Sequence, residues 1–229
     1  MSRTDSTLTA LREVLLPTEL AAAIEVRASV DAAVLVPLHM KRGVLHAVFT
    51  RRHHELPRHA GEISFPGGRR DAEDADLIAT ALRETHEEVG LPPDSVELIG
   101  ALEPIPTVVT GYAIHPFVGI VPGNFRWTPS DGEVAAVIDL PLPAVAAGYE
   151  RRRLVRRGAA IRTDAYVVDD HVIWGATARI VSDLLERGGA LITGSGTDAG
   201  SGADAGSGAD AGSGADTAAG APATGASAT

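Results

Sequence analysis

The chain has no cysteine. That single absence removes disulfides, thiolate metal sites and cysteine nucleophiles together, so any metal must be held by oxygen or imidazole, and hard cations such as Mg²⁺ come first. Basic residues are also scarce. Twenty Lys and Arg stand against 30 Asp and Glu, for a formal charge of −10 and a pI of about 5.2. This argues against a nucleic-acid partner, because phosphate backbones demand a cationic surplus. No stretch reaches the roughly 18 uninterrupted apolar residues of a membrane span, and Met1 to Thr7 lacks the apolar core of a signal peptide. The expectation is a soluble, cytoplasmic protein with no membrane partner. Aromatic residues make up only 4%, yet a 45% hydrophobic fraction over 229 residues suffices for one ample domain or two small ones. The residues set no oligomeric state.

Large side chains vanish from Gly194 onward, where the hexads GSGTDA, GSGADA, GSGADA and GSGADT lead into AAGAPATGASAT. A six-residue period suits a β-helix only where a bulky apolar residue fills each coil, and here there is only Ala. Composition therefore predicts a disordered tail over 194–229. Its acidic residues are four Asp, so the remaining body is less acidic than the whole chain. Residues 1–30 read as a helical preface, with Leu8, Leu11, Val14 and Leu15 at helical spacing, then Leu20 and Ala23 after a break at Pro17. The main domain is expected over 31–190. Strand-like runs cover Ala32 to Leu38 and Val44 to Thr50, joined by a Lys41-Arg42-Gly43 turn, and a helix reads from Ala75 to Val89, stopped by Gly90 and Pro92-Pro93. Further strands are expected at Val96 to Leu102, Ala113 to Ile120, Val134 to Leu140, Ala159 to Val168 and Val172 to Trp174, before a helix from Ala176 to Leu185. This irregular interleaving fits an α/β protein with a mixed sheet.

The informative stretch is Arg83-Glu84-Thr85-His86-Glu87-Glu88-Val89-Gly90-Leu91. On a helix Glu84, Glu87 and Glu88 stand at i, i+3 and i+4, so three carboxylates share one face within a turn and repel one another. Such an arrangement gains nothing structurally unless a cation sits among them. Oxygen ligands at this density suit Mg²⁺ or Mn²⁺, which keep several waters and accept phosphate oxygens. Upstream, Phe65-Pro66-Gly67-Gly68 joins a strand to a loop whose glycines permit close backbone approach. Arg83, four residues before Glu87, can clamp a carboxylate.

From Gly68 to Leu91 these residues resemble the signature of the Nudix hydrolases, which runs from glycine through an acidic residue to R-E-apolar-x-E-E-x-G-apolar. Two positions differ: Thr85 stands at the apolar place, and the loop before Arg83 is one residue longer, with Asp74 or Glu73 as the intermediate acid. The resemblance implies an α/β/α sandwich around a mixed sheet and metal-assisted hydrolysis of a small-molecule diphosphate. It further implies Glu84 and Glu88 as principal metal ligands, Glu87 as a further or water-mediated one, Gly67 or Gly68 as a carbonyl ligand, and Arg83 as an orienting group. Glu84, Glu87 and Glu133 are the candidates for the proton-accepting carboxylate.

Thr50-Arg51-Arg52, His59-Ala60-Gly61, Phe65-Pro66-Gly67-Gly68 and Thr80 to Glu84, with Gly111-Tyr112, Pro116 to Gly119, Glu133-Val134 and Ile173 to Ala178, are similar to the coenzyme A pyrophosphatase subgroup of that family. This implies cleavage of coenzyme A or acyl-coenzyme A to 3′,5′-ADP and (acyl-)4′-phosphopantetheine. Nudix hydrolysis of ADP-ribose, nucleotide sugars or altered nucleoside triphosphates is the alternative, and a non-catalytic Nudix domain that binds a nucleotide metabolite is a third reading. Arg52, Arg58, Arg151, Arg152 and Arg153 are candidate substrate-binding residues. The last three belong to a run continued by Arg156 and Arg157, and guanidinium forks suit phosphates, although such runs are more often solvated loop faces. The eight histidines form no H-x-x-x-H helix pair, and His53-His54 would point to opposite sides of a strand, so no histidine metal site is expected. Trp174 and Tyr112 could stack on adenine, with a core role expected for Trp174.

Overall fold

In the computed structural model, residues 3–53, 61–107, 111–156 and 159–193 are described. The predicted disordered tail, Arg58, His59 and Arg157 lie outside them. Two strands built from β-branched and aliphatic residues, β1 (Val30–Lys41) and β2 (Val44–Arg52), form the expected hairpin. Both residues of its turn, Arg42 and Gly43, take positive φ, the backbone twist that matches a tight hairpin. The short strands β3 (Ile63–Ser64) and β4 (Gly67–Arg69) follow, so Gly67 and Gly68 belong to a strand paired with β1 and not to the expected loop. Helix α3 (Leu77–Val89) comes next, then a 3₁₀ turn at Pro93–Ser95, β5 (Glu97–Ala101), β6 (Ile105–Pro106), β7 (Tyr112–Ile120) and β8 (Val134–Pro141). Strands β1 to β8 make one mixed sheet with the path β3-β2-β1-β7-β5, in which β1 and β7 run parallel and the other pairings are antiparallel.

Period-2 alternation sends the two faces of β1 to different layers. Val36 and Leu38 join the main core with Phe49, Phe65, Leu142 and Leu184. Ala33 packs with Leu77 and Ala81 of α3, and Leu35 with Val89 and Leu91. The sheet is thus covered by α3 on one side and, on the other, by α1 (Arg3–Val14), α4 (Leu142–Ala147) and α5 (Gly175–Thr193), the last broken at Gly189. Leu11 and Leu15 of the helical preface are part of the main core, and a short α2 (Thr18–Ala22) follows Pro17. A second, three-stranded antiparallel sheet is formed by β9 (Tyr149–Arg156), β10 (Ala159–Val168) and β11 (His171–Trp174). Arg151 to Arg156 of the arginine run, expected more often as a solvated loop face, lie in strand β9, whose backbone pairs with β10. No described helix is long and apolar enough to cross a membrane.

Candidate active site

Helix α3 is tightly delimited. Asp76 caps its start by accepting from the Ala79 N–H at 2.7 Å, and Gly90 ends it in the left-handed conformation with φ 74°. Between these ends the Glu84, Glu87 and Glu88 face is turned toward β4. Gly68 lies directly against Glu84, and a Cβ at that position would collide with the Glu84 carboxylate. The Gly67 N–H donates to Glu88 Oε2 at 3.2 Å. Gly67 itself has φ 149°, and a Cβ there would meet the Ala33 carbonyl oxygen, so only glycine permits this approach of β4 to β1 and the helix. Thr85, at the signature's apolar position, is fully buried and donates its hydroxyl to the Ala81 carbonyl at 2.6 Å, which removes the cost of hiding a polar group.

Arg83 holds the cluster from the side. Its Nε and Nη2 donate to the two oxygens of Asp74 at 2.8 and 3.0 Å, and the guanidinium also reaches the Arg69 carbonyl at 3.2 Å, Glu84 at 3.1 Å and Glu87 at 3.1 Å. Asp74 is therefore the intermediate acid of the two that the sequence offers. The Arg83 hydrogen bonds, with those from the Asp71 N–H and Thr80 hydroxyl, overcome burial and hold its carboxyl far below the usual range. Asp74 in turn keeps Arg83 more firmly protonated than usual.

The carboxylates themselves are under electrostatic load. Burial, partly offset by the Gly67 N–H and Arg52 and reinforced by Glu84 and Glu133, pushes Glu88 up to about 7. Burial also raises Glu84 against the pull of Arg83, with Glu87 and Glu133 adding to the rise. Glu133 acts on both because the Thr128 to Glu133 segment is tied to the end of α3: the Thr128 N–H donates to the Val89 carbonyl at 3.0 Å and the Ser130 N–H to the Glu88 carbonyl at 2.9 Å. The site therefore assembles three helical carboxylates and a fourth from a turn, all hard oxygen donors with unbalanced charge. Such a set fits a divalent hard cation.

Beside the cluster runs a cleft of about 880 Å³. Arg52 links the two: it lines the cleft and approaches Glu88 Oε1 at 3.7 Å. Tyr112, Trp174 and the Gly175–Ala178 start of α5 line the cleft, and Arg151, Arg162 and Arg179 bring cationic groups to it. Trp174 is half-buried and lines the cleft, in place of the core role expected. Of the arginine run, Arg151 reaches the cleft. Arg152 pairs with Glu150 at 3.2 Å, and Arg153 stands opposite Arg162 in the β9–β10 ladder; neither lines the cleft. The sequence reading missed Arg162 and Arg179. Arg179 is one turn along α5 from Ala176, and only a helix placed correctly against the cleft reveals it.

A NUDIX domain model matches residues 29–156, more than half of the chain. This protein belongs to the Nudix hydrolase family. It is 43% identical over 156 residues, 67% of this chain and 80% of the relative, to an uncharacterized Nudix hydrolase NudL from Citrobacter koseri, and the same figures hold for a NudL of Salmonella paratyphi B. Its fold is like that of a MutT/nudix family protein from Enterococcus faecalis, with a TM-score of 0.50 and 15% identity, covering 82% of this chain and 74% of that one. The Nudix fold, a mixed sheet flanked by helices, is thus the architecture of this chain, and its activity is pyrophosphohydrolysis of a small diphosphate by a family that typically uses divalent metals. The match ends at residue 156, so β10, β11 and α5, which supply Arg162, Trp174 and Arg179, lie wholly beyond it.

Proposed function

We propose that this Nudix hydrolase cleaves the diphosphate of coenzyme A or acyl-coenzyme A, releasing 3′,5′-ADP and (acyl-)4′-phosphopantetheine. The observation that carries the reading is Arg52, which touches both the carboxylate turn and a cleft whose other cations and aromatic walls suit a phosphorylated nucleoside. Glu84 and Glu88 are the principal ligands for Mg²⁺ or Mn²⁺, Glu87 a further or water-mediated one, and the strand at Gly67-Gly68 a backbone contributor. A divalent metal held by these residues would neutralise charge on the diphosphate and lower the pKa of an attacking water. Arg83 keeps Glu84 and Glu87 in fixed rotamers, and Arg52 draws a phosphate toward them. Of the three candidate bases, Glu133 suits proton removal best, since it stands near Glu84 and Glu88 without the Arg83 clamp that occupies the other two. Tyr112 and Trp174 offer faces for adenine, and Arg151, Arg162 and Arg179 offer charge for the 3′-phosphate.

The experiment compares turnover of coenzyme A, dephospho-coenzyme A, ADP-ribose and 8-oxo-dGTP with Mg²⁺ and with Mn²⁺. Coenzyme A should lead, and dephospho-coenzyme A should lose about 1 to 3 kcal/mol in kcat/KM for one missing set of charged hydrogen bonds. Substituting Ala for Arg151 and Arg162 together should erase that difference. A preference for ADP-ribose or the triphosphate refutes the substrate assignment.

A further inference from the structure

Three side chains that no local motif connects meet at the end of the sheet away from the carboxylate turn. His39 Nε2 lies 3.0 Å from Asp139 Oδ1, His46 Nδ1 lies 2.8 Å from the same oxygen, and the three atoms fall within 4.8 Å of one another. The register explains the meeting: His39 pairs with His46 across β1 and β2, and Val48 pairs with Asp139 across β2 and β8, so all three share a face. Lys41, on that face as well, donates to the other oxygen, Asp139 Oδ2, at 2.8 Å. His39 is buried at the back, while the His46 and Asp139 side chains keep 12% and 27% exposure at the front.

We infer that His39, His46 and Asp139 bind a borderline transition-metal ion of the zinc type, at a site separate from the carboxylate turn. Two imidazoles and one carboxylate favour Zn²⁺ or Co²⁺ over Mg²⁺, which prefers oxygen. In a tetrahedral site with ligand bonds of about 2.0 to 2.1 Å, donor atoms stand about 3.3 Å apart. The observed 2.8 and 3.0 Å separations therefore open by only a few tenths of an ångström to admit the ion. Lys41 leaves Oδ1 for the metal and fixes the carboxylate through Oδ2, the outer-shell hydrogen bond that oriented ligands require. Without the ion, the His39 Nε2–H donates to Asp139 Oδ1; metal entry replaces that bond, and His39 Nδ1, which has no hydrogen-bond partner, can carry the ring proton instead. The partly exposed front leaves room for water as a further ligand. Glu88 contacts Gly67, the partner of Val34, and five residue steps of strand, about 16 Å, lead from Val34 to His39, so the two sites share no ligand.

The test uses the full, untagged chain carrying Glu84→Gln and Glu88→Gln, which silence the carboxylate turn. Titration with Co²⁺ should give one equivalent of binding with the intense visible bands of a four-coordinate ion, displaced by Zn²⁺ and not by millimolar Mg²⁺. Zn²⁺ should also raise the melting temperature. His46→Gln and Asp139→Asn, at partly exposed positions, should each weaken binding at least about tenfold and abolish the thermal gain, with circular dichroism reporting that the fold is kept. No saturable binding, or binding unchanged in both variants, overturns the assignment.

Discussion

Glu88→Gln should make the metal-free protein more stable while removing its activity. Glu88 is 4% exposed and its carboxyl is pushed up to about 7, first by burial. In the unfolded chain the same group ionises near 4.5. Between those values the folded state binds more protons than the unfolded state, so stability falls as pH rises through this window and stays reduced above it. A gap of that size corresponds to about 3 kcal/mol at pH 8. Glutamine keeps the volume and retains an oxygen to accept from the Gly67 N–H, but it carries no charge for Glu84 and Glu133 to repel. In EDTA at pH 8 the variant should therefore melt about 5 to 10 °C above the parent, and the difference should close toward pH 4. Mg²⁺ should raise the parent's melting temperature and leave the variant's nearly unchanged, because the lost charge is also a lost ligand. Thermal unfolding of both proteins at several pH values, with and without metal, reads all of this. A variant less stable than the parent at pH 8 without metal would refute the account of Glu88 as a charge held at a cost.

Gly68→Ala places a Cβ against the Glu84 carboxylate, and turnover should fall more than about tenfold with a small change in melting temperature, measured side by side. Asp74→Asn breaks the bidentate pair with Arg83, and urea unfolding at pH 7 should show a loss of about 3 kcal/mol. Because the folded Asp74 carboxyl lies below its ordinary value, the parent keeps this contribution above pH 4 and loses it only on further acidification, so the gap between the two proteins should narrow only there. Glu133→Gln should lower kcat at pH 7 by about 10² or more while leaving metal affinity within a few-fold; an unchanged kcat removes Glu133 as the base.

What was legible in the sequence follows from how local each interaction is. The Glu84, Glu87 and Glu88 face, the stop at Gly90 and the Lys41 to Gly43 turn are set within a few residues, where helical spacing and turn chemistry speak directly. The contact of Gly68 with Glu84 is longer-range, and the sequence shows only that a glycine is present. Strand β9 was illegible because Glu150 to Arg153 are charged in succession and hide the alternation by which strands are recognised. Glu133 looks like any acidic residue before a strand; only the backbone bonds from Thr128 and Ser130 to the end of α3 bring it to the cluster.

These nonlocal links also explain why the site can carry so much like charge. Four carboxylates near one another would open the helix end if they were free to separate, and each could do so by rotating into water. Two of them are denied that escape: Gly68 lies over Glu84, and Gly67 with the surrounding core holds Glu88. Of the exposed pair Glu87 and Glu133, Glu87, 57% exposed, is gripped by Arg83 from the adjacent turn, and the same guanidinium also reaches Glu84. Asp74 balances Arg83 from outside the cluster, so the arginine's charge is shared and cannot collapse fully onto any one glutamate. The repulsion that remains is unbalanced negative charge aimed at a fixed volume, and a divalent cation entering that volume relieves it without moving the backbone.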